Sequence, residues 1–221
     1  MNILAFNGSP RRSGNTALLL REFLKGAGEY GAQCEVVIAH KTNLNYCRGC
    51  LRCNVLKRCS MKGDDWSELS KKILRADIIV FASPVYFHHL SAPLKKVLDR
   101  FRSFIKVQIT PRGLKHTPWV PWEKKFVLLL PLGSSDDADT QPIIDLFTFL
   151  TTILGADNTL HTIIGKRLAV VNQVSMTYER LKKLYETLQL PLKLAEDDHR
   201  ANQALLQQCR SLGQHLAQST I

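Results

Sequence analysis

Four of the chain's six cysteines lie within thirteen residues, as Cys47-Arg48-Gly49-Cys50-Leu51-Arg52-Cys53 and, after five intervening residues, Cys59. Whatever the chain folds into must leave room in one place for four sulfurs carried on one loop. A tetrahedral zinc site draws on two separated Cys-x-x-Cys knuckles, whereas three cysteines at successive two-residue gaps with a fourth nearby suit the corners of a cubane. The expectation is a 4Fe-4S cluster on Cys47, Cys50, Cys53 and Cys59. Zinc, disulfides and unliganded or redox-active thiols stand as alternatives. Two disulfides in so short a segment would strain their loops and do not suit an intracellular chain.

With 221 residues, 45% of them hydrophobic, and no Ser, Gly or Pro-rich linker, the chain reads as a single domain spanning residues 1–221. The opening Met1-Asn2-Ile3-Leu4-Ala5-Phe6 looks like a buried strand and not a leader, and no apolar run approaches a membrane span, so a cytoplasmic location away from membranes is expected. The net charge is +11, and residues 41–63 carry Lys41, Arg48, Arg52, Lys57, Arg58 and Lys62 with no acid. A solvated basic face is the ordinary reading of such an excess. Beside anionic thiolates these cations would also favour a reduced cluster and could dock an acidic electron carrier such as ferredoxin. No nucleic-acid reader accompanies the charge, so nucleic acid is not expected as a partner.

Residues 2–7 form an apolar strand that runs into Gly8-Ser9-Pro10-Arg11-Arg12-Ser13-Gly14-Asn15-Thr16 and then a helical pattern from Ala17. A strand, a loop of small and hydroxyl residues and a helix N-terminus make an anion site, with Ser9, Arg11, Ser13, Asn15 and Thr16 as candidate ligands. The loop lacks both G-x-G-x-x-G and a P-loop ending, and a plain turn capped by Ser13 or Asn15 would read the same way. Further strands are expected at 35–39, 78–82, 126–130 and 159–164. The strand at 78–82 empties into Ser83-Pro84-Val85-Tyr86-Phe87, and that at 126–130 into Pro131-Leu132-Gly133-Ser134. Helices are expected at 90–104, 140–154, 178–188 and 202–217. Strands alternating with helices imply a doubly wound α/β fold on a five-stranded parallel sheet with helices on both faces. Two segments, at about 105–123 and 166–198, stand outside this pattern and read as loops or additions. Cys34 and Cys209 read as small core residues.

Asn7-Gly8-Ser9-Pro10-Arg11 with Gly14-Asn15-Thr16, the four-cysteine run followed by Asp64-Asp65, and Ala76-Asp77 through Ser83-Pro84-Val85-Tyr86-Phe87 together carry a resemblance. The chain resembles the flavodoxin-like NAD(P)H-dependent FMN reductases and, among them, the iron-sulfur flavoproteins. The resemblance implies that Ser9, Arg11, Ser13, Asn15 and Thr16 hold the FMN phosphate, that Pro84, Val85, Tyr86 and Phe87 lie along the isoalloxazine, and that Gly133 and Ser134 complete the pocket. It also implies NAD(P)H as reductant, the four cysteines as cluster ligands and a homodimer or homotetramer. The expected function is an FMN-binding electron-transfer oxidoreductase whose cluster couples one- and two-electron transfer; no side chain need act as catalytic acid or base. A metal-free NAD(P)H-dependent FMN or quinone reductase is one alternative, and a basic, redox-sensing nucleic-acid-binding module is another.

Overall fold

Ile78-Ile79-Val80-Phe81-Ala82 is apolar and buried at every position, and a strand with no polar face needs cover on both sides. The computed structural model, which describes residues 1–218, puts it at the centre of a sheet. In chain order the elements are β1 (Asn2–Asn7), α1 (Asn15–Gly28), β2 (Gln33–Ile38), α2 (Cys53–Leu56), α3 (Trp66–Arg75), β3 (Ile78–Ala82) and α4 (Ala92–Arg100). They continue with β4 (Ile105–Thr110), β5 (Gly113–Pro118), β6 (Lys125–Pro131), α5 (Gln141–Leu154), β7 (Thr159–Gly165), α6 (Tyr178–Thr187) and α7 (Leu192–Gln218). The five-stranded sheet runs β2-β1-β3-β6-β7, all parallel, in the flavodoxin-like order.

Alternate residues of each central strand feed one of two cores. Phe6, Phe81, Phe126 and Leu128 face α3, α4 and α5, where Phe81 stacks on Phe6 at 5.2 Å between ring centroids and meets Phe147 edge-on at 4.8 Å. Ile3, Ala5, Val80 and Val127 face α1 and α7. Each such fully buried Val, Ile, Leu or Phe side chain contributes about 1.5–3 kcal/mol of burial free energy. The helices α1 and α7 touch backbone to backbone: a Cβ on Gly26 would lie 2.0 Å from the Arg210 carbonyl oxygen, and one on Gly213 would lie 2.1 Å from that of Phe23.

Residues 105–118 depart from the expected loop: they form the antiparallel hairpin β4–β5. Pro111 sits in the turn between Thr110 and Gly113, and Pro118 ends an edge strand, both positions where a missing N–H costs no ladder bond. Trp122 joins the core and stacks on Phe126 at 6.2 Å. The last helix begins ten residues before the expected start, at Leu192, and takes in part of the segment read as unmapped. Cys209 is buried as expected, but Cys34 is exposed on the edge strand β2. Among the described residues no helix is long and apolar enough to cross a membrane.

In a sheet of this order ligands bind outside the carboxyl ends of the strands where the winding reverses, here between β1 and β3. The Gly8 N–H donates to the Ala82 carbonyl at 2.8 Å at that point.

Candidate active site and cysteine lobe

The loops after β1, β3 and β6 are stitched side by side by backbone bonds. Ser83 N–H donates to Leu129 O at 3.0 Å, Val85 N–H to Pro131 O at 3.2 Å, and Leu132 N–H to Gly165 O at 2.8 Å. Ser91, just before α4, locks the first loop to the second: its hydroxyl donates to Gly8 O at 2.7 Å and its N–H to Ser83 Oγ at 3.0 Å. A Cβ on Gly8 would lie 2.7 Å from Ser91 Oγ, so only glycine permits this approach.

Within the first loop, Asn7 Oδ1 accepts from the Ser9 N–H at 2.9 Å and Ser9 Oγ from the Arg11 N–H at 3.2 Å. Arg11 and Ser13 are exposed, whereas Ser9, Asn15 and Thr16 are buried. The α1 N-cap is Gly14, not Ser13 or Asn15, and it makes no side-chain cap bond, so the first-turn N–H groups of α1 are not claimed by a capping side chain. The Asn15 side chain differs from its expected role. Its amide donates to Leu168 O and Val170 O at 2.9 and 2.8 Å and its Oδ1 accepts from Val174 N–H at 3.1 Å, leaving Asn15 its backbone N–H to offer an anion.

In the second loop Tyr86 and His89 exchange two backbone hydrogen bonds of 2.9 Å, closing a turn in which Phe87 and His88 both have positive φ (48° and 61°). Left-handed backbone at consecutive non-glycine residues is strained and clusters at binding sites. Pro84 and Val85 are half-buried, Tyr86 is half exposed and Phe87 is fully exposed, so Phe87 covers no sheet edge. In the third loop Gly133 is exposed, Ser134 Oγ accepts from Asp136 N–H at 3.0 Å, and Ser134 O accepts from Arg167 N–H at 2.9 Å.

The segment after β7, unmapped in sequence, braces this region. Arg167 grips Asp198 in a bidentate pair, Tyr185 donates to the same carboxylate, and Gln173 bonds the Tyr185 hydroxyl at 3.3 Å. Burial and the neighbouring Asp198 push the Tyr185 hydroxyl well above its ordinary pKa.

The cysteines lie elsewhere, between α2, α4 and the β4–β5 hairpin. Cys47 and Cys50 are exposed, Cys59 is half-buried and Cys53 is buried. All four line one cavity of about 20 Å³, together with Arg100 and Arg102 and with no carboxylate. Arg100 Nη2 donates to Cys59 Sγ at 3.4 Å and Arg102 Nη1 to Cys53 Sγ at 3.5 Å. Cys50 Sγ lies 3.9 Å from Ser60 Oγ. The Arg52 backbone N–H, with the Ser60 hydroxyl, pulls the Cys50 thiol below its usual pKa, whereas burial pushes Cys53 up against the pull of Arg102. Among the described residues no three His, Cys, Asp or Glu side chains stand close enough to hold a metal ion. The donor set itself, four thiols around one cavity with guanidinium groups on two of them, has the chemistry to hold an anionic iron-sulfur cluster.

Arg100 and Asp64 form an ion pair at 2.5 Å with both side chains only 1% exposed. Burial alone would raise the Asp64 carboxyl; the hydrogen bonds from Arg100 and from the Asn45 and Trp66 N–H groups outweigh it and hold the group below the usual aspartate range. Asn54 ties α2 to the hairpin, donating to Val107 O at 2.8 Å and accepting from Val107 N–H at 3.0 Å. Sequence reading missed Ser91, Asn54, Arg100 and Arg102 as site residues. Only Arg100 left a signal, a cation three residues after Val97 on the buried stripe of α4.

Residues 1–163 match the family described as NADPH-dependent FMN reductase. An iron-sulfur flavoprotein of Methanocaldococcus jannaschii is 42% identical over 102 residues, 46% of this chain and 52% of that protein. The chain spans about half the length of the first curated relatives it matches. Among solved structures, an NAD(P)H:quinone oxidoreductase from Methanothermobacter marburgensis superposes with a TM-score of 0.64 at 17% identity, covering 98% of each chain. An FMN-dependent NADH-azoreductase from Bacillus anthracis, solved in complex with FMN, does so with 0.64 at 13%, covering 98% of this chain and 100% of that one. These two likenesses speak for the fold; the family match covers β1 through nearly all of β7, and on it the chain belongs to the NADPH-dependent FMN reductase family of flavin-dependent oxidoreductases.

Proposed function

We propose that this chain is an electron-transfer oxidoreductase that holds FMN across the three strand-end loops and a 4Fe-4S cluster on Cys47, Cys50, Cys53 and Cys59. One observation carries the reading: all four thiols line a single cavity, two of their sulfurs accept hydrogen bonds from arginines, and the helix that ends at that cavity starts from Ser91 in the strand-end loops. A bound FMN exchanges electrons singly or in pairs and a bound cubane one at a time, so together they couple the two kinds of chemistry.

The residues divide the work. The first-turn N–H groups of α1, with Ser9, Arg11, Ser13, Thr16 and the backbone of Asn15, bind the phosphate. Pro84, Val85, Tyr86 and Phe87 lie along the ring system, where the free Phe87 ring shields it from water, and Gly133 and Ser134 close the far side. NAD(P)H serves as reductant. A homodimer or homotetramer would cover exposed Phe87, Ile109 and Leu114 and bring the cysteine lobe toward a neighbouring copy's flavin. The groove of about 830 Å³ beside Cys59, lined by Arg52, Arg58, Lys62 and Lys71, suits an acidic carrier such as a ferredoxin. A cytoplasmic location goes with this reading, since cysteines kept as cluster ligands need a reducing compartment.

A Cys47→Ala variant tests the reading. The expected result is loss of iron-dependent absorbance with the flavin spectrum kept; an unchanged spectrum and activity would remove the cluster from the account. The separation of the sulfurs favours a second reading, a metal-free NAD(P)H-dependent FMN or quinone reductase. Stoichiometric reduction of bound FMN by NADPH in protein free of iron would support that reading instead.

A further inference from the structure

We infer that Arg100 and Arg102 set the electron affinity of the cysteine site, supplying the positive charge and the N–H donors against which the sulfur cage is reduced. The inference rests on the reading of the four cysteines as cluster ligands and goes beyond it by naming the groups that poise the centre.

The two arginines come from one turn, Arg100-Phe101-Arg102, with Phe101 in the core. They are held differently. Arg100 is 1% exposed, and its guanidinium bonds Asp64, the Asn45 carbonyl at 2.8 Å and Cys59 Sγ at 3.4 Å while lying over the Trp66 ring at 5.1 Å. Its Nε is buried and has no hydrogen-bond partner among the described residues. A buried guanidinium with a spare donor is costly, and an arginine that merely paired with Asp64 would have no need to line the sulfur cavity. Among the described residues Arg102 has no carboxylate partner. It bonds Cys53 Sγ at 3.5 Å, Ile105 O at 2.9 Å and Asn54 Oδ1 at 3.0 Å, all neutral or sulfur acceptors, so its charge acts on the sulfurs uncancelled.

Arg100 is the last residue of α4, where the helix dipole favours a cation, and Arg102 follows in the next turn. The same helix starts beside Ser91, so its nine residues, about 14 Å of helix, fix the arginines relative to the strand-end loops. Taking up one electron adds one negative charge to an already anionic cage. Cations in hydrogen-bond contact with two of its sulfurs favour that state, and removing one lowers the reduction potential.

The test is a redox titration of anaerobically prepared wild type, Arg102→Gln, Arg102→Lys and the double variant Arg100→Gln/Asp64→Asn, which removes the buried pair without stranding a charge. Iron and sulfide content and circular dichroism are recorded on each. Arg102→Gln should disfavour the reduced cluster about tenfold, which for a one-electron couple is about 59 mV. Arg102→Lys should restore it to within about threefold, and the double variant should shift the same way as Arg102→Gln, with the flavin potential unmoved in all three. Wild-type potentials in Arg102→Gln and in the double variant, at full iron content, would overturn the inference, as would equal loss of cluster from Arg102→Gln and Arg102→Lys, which would make the role purely structural. A wild type with flavin but no iron or sulfide would instead bring down the cluster reading and this inference with it.

Discussion

The strand-end loops and the cysteine lobe are built on opposite principles. At the strand ends the parallel sheet sets the frame: backbone bonds join the loops, and the side chains of Ser91 and Asn15 then pin that ready-made frame to Gly8 and to residues 168–174. In the cysteine lobe the backbone has almost no regular structure of its own, with α2 only four residues long and Leu51 and Lys57 in left-handed backbone. Side chains from distant segments hold it: Arg100 and Arg102 on the sulfurs, Asp64 on Arg100, Asn54 on the hairpin. A site made by a sheet is formed by the fold itself, whereas a site made by side chains around four thiols depends on those distant side chains meeting.

The contrast can be broken at either end. The largest effect is expected from Asp64→Ala, which strands the Arg100 charge in the core: breaking a buried pair costs about 3–5 kcal/mol. Urea unfolding should show that loss together with depleted iron; a loss under about 1 kcal/mol would mean that the pair does not hold the lobe. Gly8→Ala should act at the other end, forcing Ser91 away at a cost of about 1–3 kcal/mol. The flavin Kd, read by fluorescence titration, should then rise at least about tenfold while iron content stays at the wild-type level; unchanged flavin affinity would contradict the lock. Asn54→Ala is milder. It should release β4 from α2 at about 1–3 kcal/mol and appear as faster amide exchange confined to the hairpin and the cysteine loop. Exchange that spread evenly through the sheet would argue against a separate lobe.

Acidity should separate the two regions least. Asp64 has a lowered pKa in the folded chain, so the unfolded chain binds the proton more readily and stability rises with pH through the acid range. The contribution of the pair is complete above the ordinary aspartate value of about 3.9 and is lost as pH falls through the lower folded value. Between about pH 5 and 8 this pair should therefore give a flat stability profile. A slope in that window that Asp64→Asn abolished would contradict the assignment.

The same contrast explains what could be read from the chain. β3 and the strand-end loops were legible because continuous apolar runs bounded by small residues report their own burial; Ile78–Ala82 falls where it was expected. The four cysteines were legible as a run. Their surroundings were not, since Arg100 and Asp64 meet across 36 residues and Arg102 and Asn54 across 48, and nothing local marks such partners. Asp198 was hidden in the same way: it looks like a surface charge until Arg167 and Tyr185 close on it. The hairpin is hidden for a different reason: prolines in a segment read as breaks in regular structure, whereas Pro111 and Pro118 mark a turn and an edge. Asn15 reads as part of the first strand-end loop, but its side chain is engaged by residues 168–174, which no spacing rule connects to it.

The most direct test of two cofactors in one chain is iron, acid-labile sulfide and FMN analysis on protein purified without oxygen. Four irons, four sulfides and one FMN per chain are expected. A full complement of FMN with no iron or sulfide would contradict this, leaving the four cysteines as thiols beside an ordinary flavin reductase.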